Sequence, residues 1–463
     1  MMYVHKRYFE SGLSNITVVV CFFILSCSGT GKVHSEWHDL FNGQDLAGWK
    51  RLNGSAEFTV EDRLIIGTTK GNTENTFLAT EESYSDFVLE LEFLVDSLIN
   101  SGIQIRSNSS DYQNGRVFGY QVEIDPSERG WSGGIYDEAR RGWLYPVSLN
   151  PEVENSFNRG GWNKLYIEAV GPVIKTWLND VPITHLIDDL TDRGFIALQI
   201  HSINRPELIG RKIKWRNIRI KTTNIKPKPG EWPHVVNNIP NYLSEAEVSL
   251  GWRTLFDGQS AEKWRGAHMD SFPEHGWKVD NGELSVIESG GGESEFGGDI
   301  VTHEEFSSFE FQVDFKITGG ANSGIKYFVT EGYNQHSGSA IGLEYQILDD
   351  ENHPDSRQGR DGNRTLGSLY DLIPAYKEPR ITRKVGEWNH ARIVVKPDNH
   401  VEHWLNGYKV LEYERGSEEF NELVKMSKYV GWENFGLAES GHILLQDHGN
   451  EVSFRSIKVR NLD

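Results

Sequence analysis

Two stretches of the chain carry side chains fit for acid-base chemistry. One reads IGLEYQILDD, from Ile341 to Asp350, and the other, FGYQVEID, runs from Phe118 to Asp125. Both alternate apolar with polar residues, as an extended strand does when successive side chains leave on opposite faces. Leu343, Tyr345 and Ile347 therefore share one face, and Glu344 and Gln346 the other. In the earlier stretch Tyr120, Val122 and Ile124 oppose Gln121, Glu123 and Asp125. The same parity in SGIQIRS sends Ile103 and Ile105 inward and Gln104 and Arg106 outward, and in FIALQIHS it sends Gln199 and His201 outward. The matching outward set of the later copy is Lys326, Glu344, Gln346, Gln446 and His448. Asp447 stands where the first copy has Ile200, on core-facing parity, so it either caps the strand or marks a register shift. A cation, a carboxylate and an imidazole are the groups that polarise a carbonyl, remove a proton and return one. A solvated sheet face is polar in any case, and each residue alone fits that plainer reading. It leaves unexplained why the three types recur at matching places.

Loops next to these strands add rings and charges. WSGGIYDEARRGWLYP supplies Tyr136, Asp137, Arg140, Arg141 and Trp143, and LGSLYDLIPAY supplies Tyr370 and Asp371. Rings stack on the apolar faces of sugars and charged groups bind hydroxyls, so the mixture suits a carbohydrate. Trp177 and Trp404 share a strand position and read as core. His353, Asp355 and His403 offer metal-ligand types without compact spacing, so a divalent ion stays an open alternative. The glycine-rich ESGGGESEFGGD, from Glu288 to Asp299, lacks the Lys-Ser/Thr ending of a phosphate loop and reads as a flexible connection.

The elements that must position these residues come in two rounds. WHDLFNGQDLAGWK from Trp37 is echoed by WRTLFDGQSAEKWR from Trp252, NSGIQIRS by NSGIKYFV, GWNKLYIEAV by EWNHARIVVK, TWLND by HWLNG, and FIALQIHS by HILLQDHG, all in one order. The chain is thus a domain-length duplication. Period-two segments bounded by Gly, Asn and Asp, with almost no helical periodicity, predict two β-sandwiches. The first is expected over 36–222 and the second over 244–463. Between them 223–243 holds Pro227, Pro229, Pro233 and Pro240 and reads as an extended linker. Ser244 with Glu247 is a capping-box pattern, predicting a short helix over 244–250.

Composition narrows the partners. The formal charge is -20 over 463 residues with no block of Lys or Arg, which argues against nucleic acid as a partner, since phosphate binding needs a concentrated basic surface. Lys6 and Arg7 precede an apolar run, Ile16 to Leu25, too short and too early to span a membrane, so residues 1–26 read as a secretory signal. Ile24, Leu25, Ser26 and Cys27 resemble a bacterial lipobox, which implies acylation at Cys27 and an exported protein anchored by lipid in the cell envelope, in the periplasm or at the outer-membrane surface. Cys21 falls in the removed segment, leaving no disulfide to hold the domains.

The ordered landmarks resemble the 3-keto-disaccharide hydrolase domain, a family with a concanavalin A-like jelly-roll fold. LFDGQ, NSGIK, LEYQILDD, SLYDLI, EWNHARIVV, VEHWLNG, ILLQDHG and FRSIKVR carry the likeness through nearly all of the second copy. SGIQIRS, GRVFGYQVEIDP, WSGGIYDEARRGWLYP, GWNKLYIEAVG and GFIALQIHS carry a different branch of it in the first. The resemblance implies an all-β chain of two tandem concanavalin A-like jelly-roll sandwiches acting on 3-keto glycosides. In such a substrate the carbonyl acidifies the C2 hydrogen, a base removes it, the C1 oxygen leaves by β-elimination and water then adds. That route needs a base near neutrality, a stabiliser for the enolate and an acid for the leaving group. It implies Glu344 or His448 as base and acid, with Lys326 or a divalent metal on the enolate, and Glu123, His201 and Arg106 as the first-copy counterparts. Gln346, Gln446, Asp447, Tyr370 and Asp371, and in the first copy Gln104, Asp125, Tyr136, Asp137, Arg140, Arg141, Trp143 and Gln199, are the expected substrate-binding set. An oxidoreductase that makes the 3-keto sugar is the implied partner upstream. The copies differ at Glu344 against Gln121, Gln346 against Glu123 and Asp447 against Ile200, so the same chemistry is not expected of both. Two other readings compete: lectin-like binding modules on the same fold, and a two-carboxylate glycosidase cleaving unoxidised glycosides.

Overall fold

Alternation becomes strand pairing along most of the chain. FVLELEFLV (Phe87–Val95) and FEFQVDFKI (Phe309–Ile317) are long central strands, and in each every second residue, from Phe87 and from Phe309, is buried. Each such side chain contributes about 1.5–3 kcal/mol by leaving water, so a one-residue register slip would expose the whole set. The computed structural model describes residues 36–110, 116–290, 292–332, 338–378 and 381–462; the expected signal segment 1–26 and Cys27 lie outside the described residues.

The architecture is all-β, two jelly-roll sandwiches in tandem. In the first, a nine-stranded sheet backs a seven-stranded one, and in the second an eight-stranded sheet backs a five-stranded one. The seven-stranded sheet sets Ser101–Ser109 between Val117–Ile124 and Phe195–Ile200. The five-stranded sheet repeats this with Asn322–Thr330 between Ile341–Leu348 and His442–Leu445. Inward rows such as Ile103, Tyr120, Val122 and Leu198, or Ile325, Leu343, Tyr345 and Ile347, are fully buried. The outward rows are left to face the site.

A bulge breaks the parity in both central strands. Register shifts between Ile105 and Asn108 and again between Tyr327 and Thr330, with Arg106 at φ 45° and Phe328 at φ 51°. A residue in the left-handed region re-aims its side chain. Arg106 is therefore not the counterpart of Lys326, which in register is Gln104. Its guanidinium is buried and bonds the carbonyls of Ser85 (2.8 Å) and Gly171 (2.7 Å) and the carboxylate of Asp86.

The stretch expected as a linker lies on the first sandwich. Val236–Asn237 pairs in parallel with Val181–Ile187, and Trp232 meets Trp177 edge-on at 5.3 Å. Prolines restrict the backbone here without keeping the intervening residues off the sheet. Ser244 caps the helix Glu245–Ser249 through the reciprocal Ser-Glu bonds that its spacing predicts. Residues Trp37–Asp463 form one compact unit. Trp404 and Val394 of the second sandwich pack into the core of the first, and Tyr408 touches both cores.

Candidate functional site

The motif NSGI builds the floor of each site. In the second sandwich Lys326 lies directly across the ladder from Glu344, and Gly324 across from Gln346. Gly324 makes room: a Cβ there would lie 2.5 Å from Glu344 Oε1, so only glycine lets the glutamate fold over its neighbour. Ser323 donates to the Gln446 carbonyl (2.8 Å) and pins the third strand alongside. The first sandwich repeats the device, with Gly102 against Gln121 and Ser101 bonded to the Gln199 carbonyl (2.6 Å).

Lys326, Glu344, Gln346, Gln446 and His448 line one cavity of about 70 Å³, and Tyr370 reaches it from the loop above. The sequence reading missed Glu293, Asn322, Lys428 and Tyr429, which complete it. Glu293 belongs to the glycine-rich stretch expected as a flexible connection. That stretch is tied down: Asp447 accepts from the amides of Gly297 (3.2 Å), Gly298 (2.9 Å) and Gly449 (2.9 Å). Asp447 thus caps the loop instead of lining the cavity. Lys428 and Tyr429 come from a segment with no first-copy equivalent, the helix Glu418–Lys425 and the 3-10 turn Lys428–Gly431. Two traces of it stand in the sequence: length, since HWLNG to HILLQ spans far more residues than TWLND to FIALQ, and the helix pattern SEEFNELVK, with Ser417 at the N-cap, acids in the first turn and Phe420, Leu423 and Val424 on one face. Asp371 also supports the cavity from outside, accepting from the Lys428 amide (2.7 Å) and from Arg364 (2.8 Å). Arg364 in turn holds Asp355 (3.0 Å), which accepts the Tyr370 hydroxyl (2.8 Å).

Burial governs the charges. It pushes the Glu344 carboxyl up to about 7, against the pull of Lys326 and Lys428. For Lys326 burial works to strip the proton, but Asp299, Glu344 and Glu293 outweigh it and the ammonium is held above its ordinary range. Lys326 Nζ lies 3.3 Å from Asp299 Oδ2 and 3.1 Å from the Ala340 carbonyl. Gln346, with its amide turned to suit its neighbours, donates to Glu344 Oε1 (3.1 Å). His448 shares the cavity with Glu293 and sits edge-on to His353 at 6.3 Å. Its Nδ1 is buried without a hydrogen bond, as is Gln446 Oε1. These are polar atoms left for a ligand.

The first sandwich arranges the same types differently. Gln104 donates to Gln121 (2.8 Å), which donates to Glu123 (2.9 Å), so amides replace the lysine-glutamate pair and the acid sits one ladder step along. Burial raises Glu123 to about 7, opposed by bonds from Asn100 and Gln121 and by the charge of Arg129. The cation here is Arg129, also missed in the sequence, 3.6 Å from Glu123 and 4.5 Å above the Trp131 ring. Asp125 is spent on Arg129 (2.7 Å). Gln199 is fully buried with both amide atoms unpaired. Tyr136 stands on this face beside Trp143, ring centroids 5.4 Å apart. His201 bonds the Ser202 carbonyl (2.6 Å) and sits beside Glu138, whose carboxyl, raised by burial, it draws back down. Asp137, Arg140 and Arg141 do not join Glu123: Asp137 is buried and binds both arginines, and Arg141 continues to Asp188 (2.8 Å).

Metal-ligand types meet elsewhere among the described residues, at His400, Glu402 and Glu412, where Lys396 and Lys409 already occupy the carboxylates. His403 is a core residue, bonded to Tyr327 (2.8 Å) and the Gly367 carbonyl (3.0 Å).

Comparison with known proteins returns one family. The model described as 3-keto-alpha-glucoside-1,2-lyase-like domain matches residues 36–221 and again 251–460. A curated relative, a 3-keto-disaccharide hydrolase of Bacteroides thetaiotaomicron, is 36% identical over 237 residues, covering 46% of this chain and 79% of that protein. Among solved structures, a provisionally assigned glycosyl hydrolase of Parabacteroides distasonis is 28% identical, covers 49% of this chain and 100% of its own, and superposes with a TM-score of 0.42. The carbohydrate-binding module CBM66 of Bacillus subtilis is 18% identical, covering 37% of this chain and 94% of its own, with a TM-score of 0.26.

Proposed function

The chain belongs to the 3-keto-alpha-glucoside-1,2-lyase-like domain family, in two tandem copies, and from that premise we propose that its second sandwich cleaves 3-keto glycosides by removing the C2 proton. Glu344 is the base. Its carboxyl is poised at about 7, where about half of it is ionised at neutral pH and the ionised form is strong enough to take a carbon-bound proton. As the proton moves to Glu344 its charge moves to the 3-keto oxygen, so the total charge of the cavity does not change and Lys326 compensates first one anion and then the other. The enolate then collapses: the 3-keto carbonyl re-forms, the electron pair at C2 closes the C1–C2 double bond, and the C1–O bond breaks with its pair on the leaving oxygen, which takes a proton from His448. Water adding across that double bond completes a net hydrolysis. At about 70 Å³ the cavity admits the reacting edge of one ring, with the rest of the sugar outside against Tyr370.

The observation that carries this reading is the buried Glu344 facing Lys326 across one ladder step. Glu344→Gln should lower turnover of a 3-keto glucoside by at least about a hundredfold, the scale of losing a general base. A substrate deuterated at C2 should react more slowly than its protiated twin. Cleavage of an unoxidised glucoside at a similar rate, with no isotope effect, would mark a two-carboxylate glycosidase and end the proposal.

The first sandwich is assigned a binding role. Glu123 is gripped by Asn100 (2.5 Å) and Gln121 and faces Arg129, which leaves it poorly placed to accept a proton from carbon. Arg129 over Trp131 and the unpaired Gln199 suit the hydroxyls and ring face of a saccharide. Glu123→Gln should therefore spare kcat where Glu344→Gln abolishes it. In this reading an oxidoreductase that makes the 3-keto group acts beforehand, and export through the N-terminal segment with acylation at Cys27 places the protein in the cell envelope.

A further inference from the structure

A cleft of about 490 Å³ opens between the two sandwiches, and none of the residues lining it lines the Glu344 cavity. Its volume falls within the range of small-molecule sites, roughly 300–1,000 Å³. We infer that this cleft is a second ligand site, built for a saccharide that carries a carboxylate.

Charge is the first ground. In a chain of formal charge -20, five guanidinium groups, from Arg140, Arg141, Arg383, Arg392 and Arg455, meet on these walls against two carboxylates, Asp314 and Glu387. The acids that balance the others stand behind them. Arg140 and Arg141 are held from the rear by Asp137 (2.8 and 2.6 Å), Arg141 also by Asp188, and Arg392 by Glu310 (2.5 Å). Asp137, Asp188 and Glu310 do not reach the cleft. Arg141 gives all three of its nitrogens to Asp137 and Asp188, and Arg140 gives Nε to Asp137 and Nη1 to Thr191, whereas Arg392, fixed from behind through Nε, keeps its terminal N–H groups for a ligand and loses little freedom when one arrives. His234, also on the wall, is held well below the ordinary imidazole range by burial and then by Arg392.

Ring faces are the second ground. Trp388 and Trp143 are half-buried on opposite walls, one from each sandwich. Arg455 lies 4.0 Å and Lys316 4.6 Å from the Trp388 ring centroid, so cations already cover this ring and what is left exposed of it meets a sugar beside the charge that a sugar acid would need. Rigidity is the third. Tyr145 donates to the His234 carbonyl (3.1 Å) and holds that segment to the first sandwich, while Trp131 meets Tyr408 across the junction at 6.1 Å and Trp404 is buried in the first sandwich's core, so the walls are fixed to one another. Trp143 also touches Tyr136 on the Glu123 face, which places the cleft next to the first sandwich's polar surface.

The intact chain is to be titrated calorimetrically with digalacturonate and with maltose. Digalacturonate should bind at least about tenfold more tightly, with an affinity that falls as salt rises. Arg383→Glu should cost at least about tenfold in that affinity and Trp388→Ala should weaken it as well, while both variants melt like wild type. Glu344→Gln should bind digalacturonate as wild type does, which separates this site from the catalytic reading. Equal affinity for the two disaccharides, no binding of digalacturonate at millimolar concentration, or unchanged binding by folded Arg383→Glu overturns the inference. So does loss of binding in Glu344→Gln, because the ligand would then lie in the other cavity.

Discussion

Glu344 and Glu123 are both lifted to about 7 by burial, and they differ in what surrounds them. With Glu344 as base, kcat/KM for a p-nitrophenyl 3-keto glucoside, whose leaving oxygen needs no proton, should rise with pH through about 7 and level off above it. The same shift carries a stability cost. The folded carboxyl keeps its proton up to about 7 while the unfolded one releases it near 4.5, so the native state binds more protons between those values and stability falls as pH rises across that window. Glu344→Gln should therefore raise the melting temperature at pH 8 relative to wild type more than at pH 4. A pH–rate limb near 4.5, or a variant less stable at pH 8, would remove Glu344 as the poised base. His448 has a different signature. Its proton matters only when the leaving oxygen is basic, so His448→Asn should slow a 3-keto disaccharide by about a hundredfold and a p-nitrophenyl 3-keto glucoside far less. Equal losses on both would assign His448 to positioning. Of these groups Lys326, Glu344, Gln346 and His448 were legible from alternation alone. Arg106 was misplaced because a bulge leaves no mark in the pattern of polar and apolar residues, and Arg129, Glu293 and Lys428 were invisible because loop closure has no period.

The strand triad does at the element scale what no single residue can. NSGI recurs because its serine ties the third strand and its glycine leaves space for the side chain of the second, and the sequence displayed that motif twice without revealing its purpose. Gly324→Ala tests it. The new Cβ would stand 2.5 Å from Glu344 Oε1, and the carboxylate must move, since the strand on which Gly324 lies is paired on both sides. Turnover should fall at least about tenfold, as small misplacements at a reacting centre do, with the far-ultraviolet circular dichroism unchanged. Wild-type activity in that variant would show that the glutamate has room to spare. The glycine-rich stretch teaches the reverse lesson about composition. Its glycines suggested flexibility, yet Asp447 and Asp299 bind its amides and Lys326 so that Glu293 reaches the cavity.

At the scale of the molecule the duplication, the strands and the sandwich class could be read in advance, because hydrophobic period and ordered repeats survive divergence. The docking of the two halves could not, since it depends on which side of its sheet a tryptophan presents to the other half, and no repeat or period shows that. Trp404 was expected as core, and it is buried, but in the core of the other half. Truncating it should cost about 3–5 kcal/mol, as for large aromatic deletions elsewhere, and that loss falls where the second half enters the core of the first. Beside it Glu310 is held down to about 2, its burial outweighed by Arg392 and Arg460. That contribution is complete above the unfolded carboxylate value near 4.5 and disappears as pH falls toward 2. Both arginines belong to Glu310's own sandwich, so this loss in acid falls on the second sandwich. Calorimetry at pH 7 should give one transition for the intact chain and two for Trp404→Ala. A variant that melts in one step at the wild-type temperature would mean that the halves are held together by contacts other than this indole.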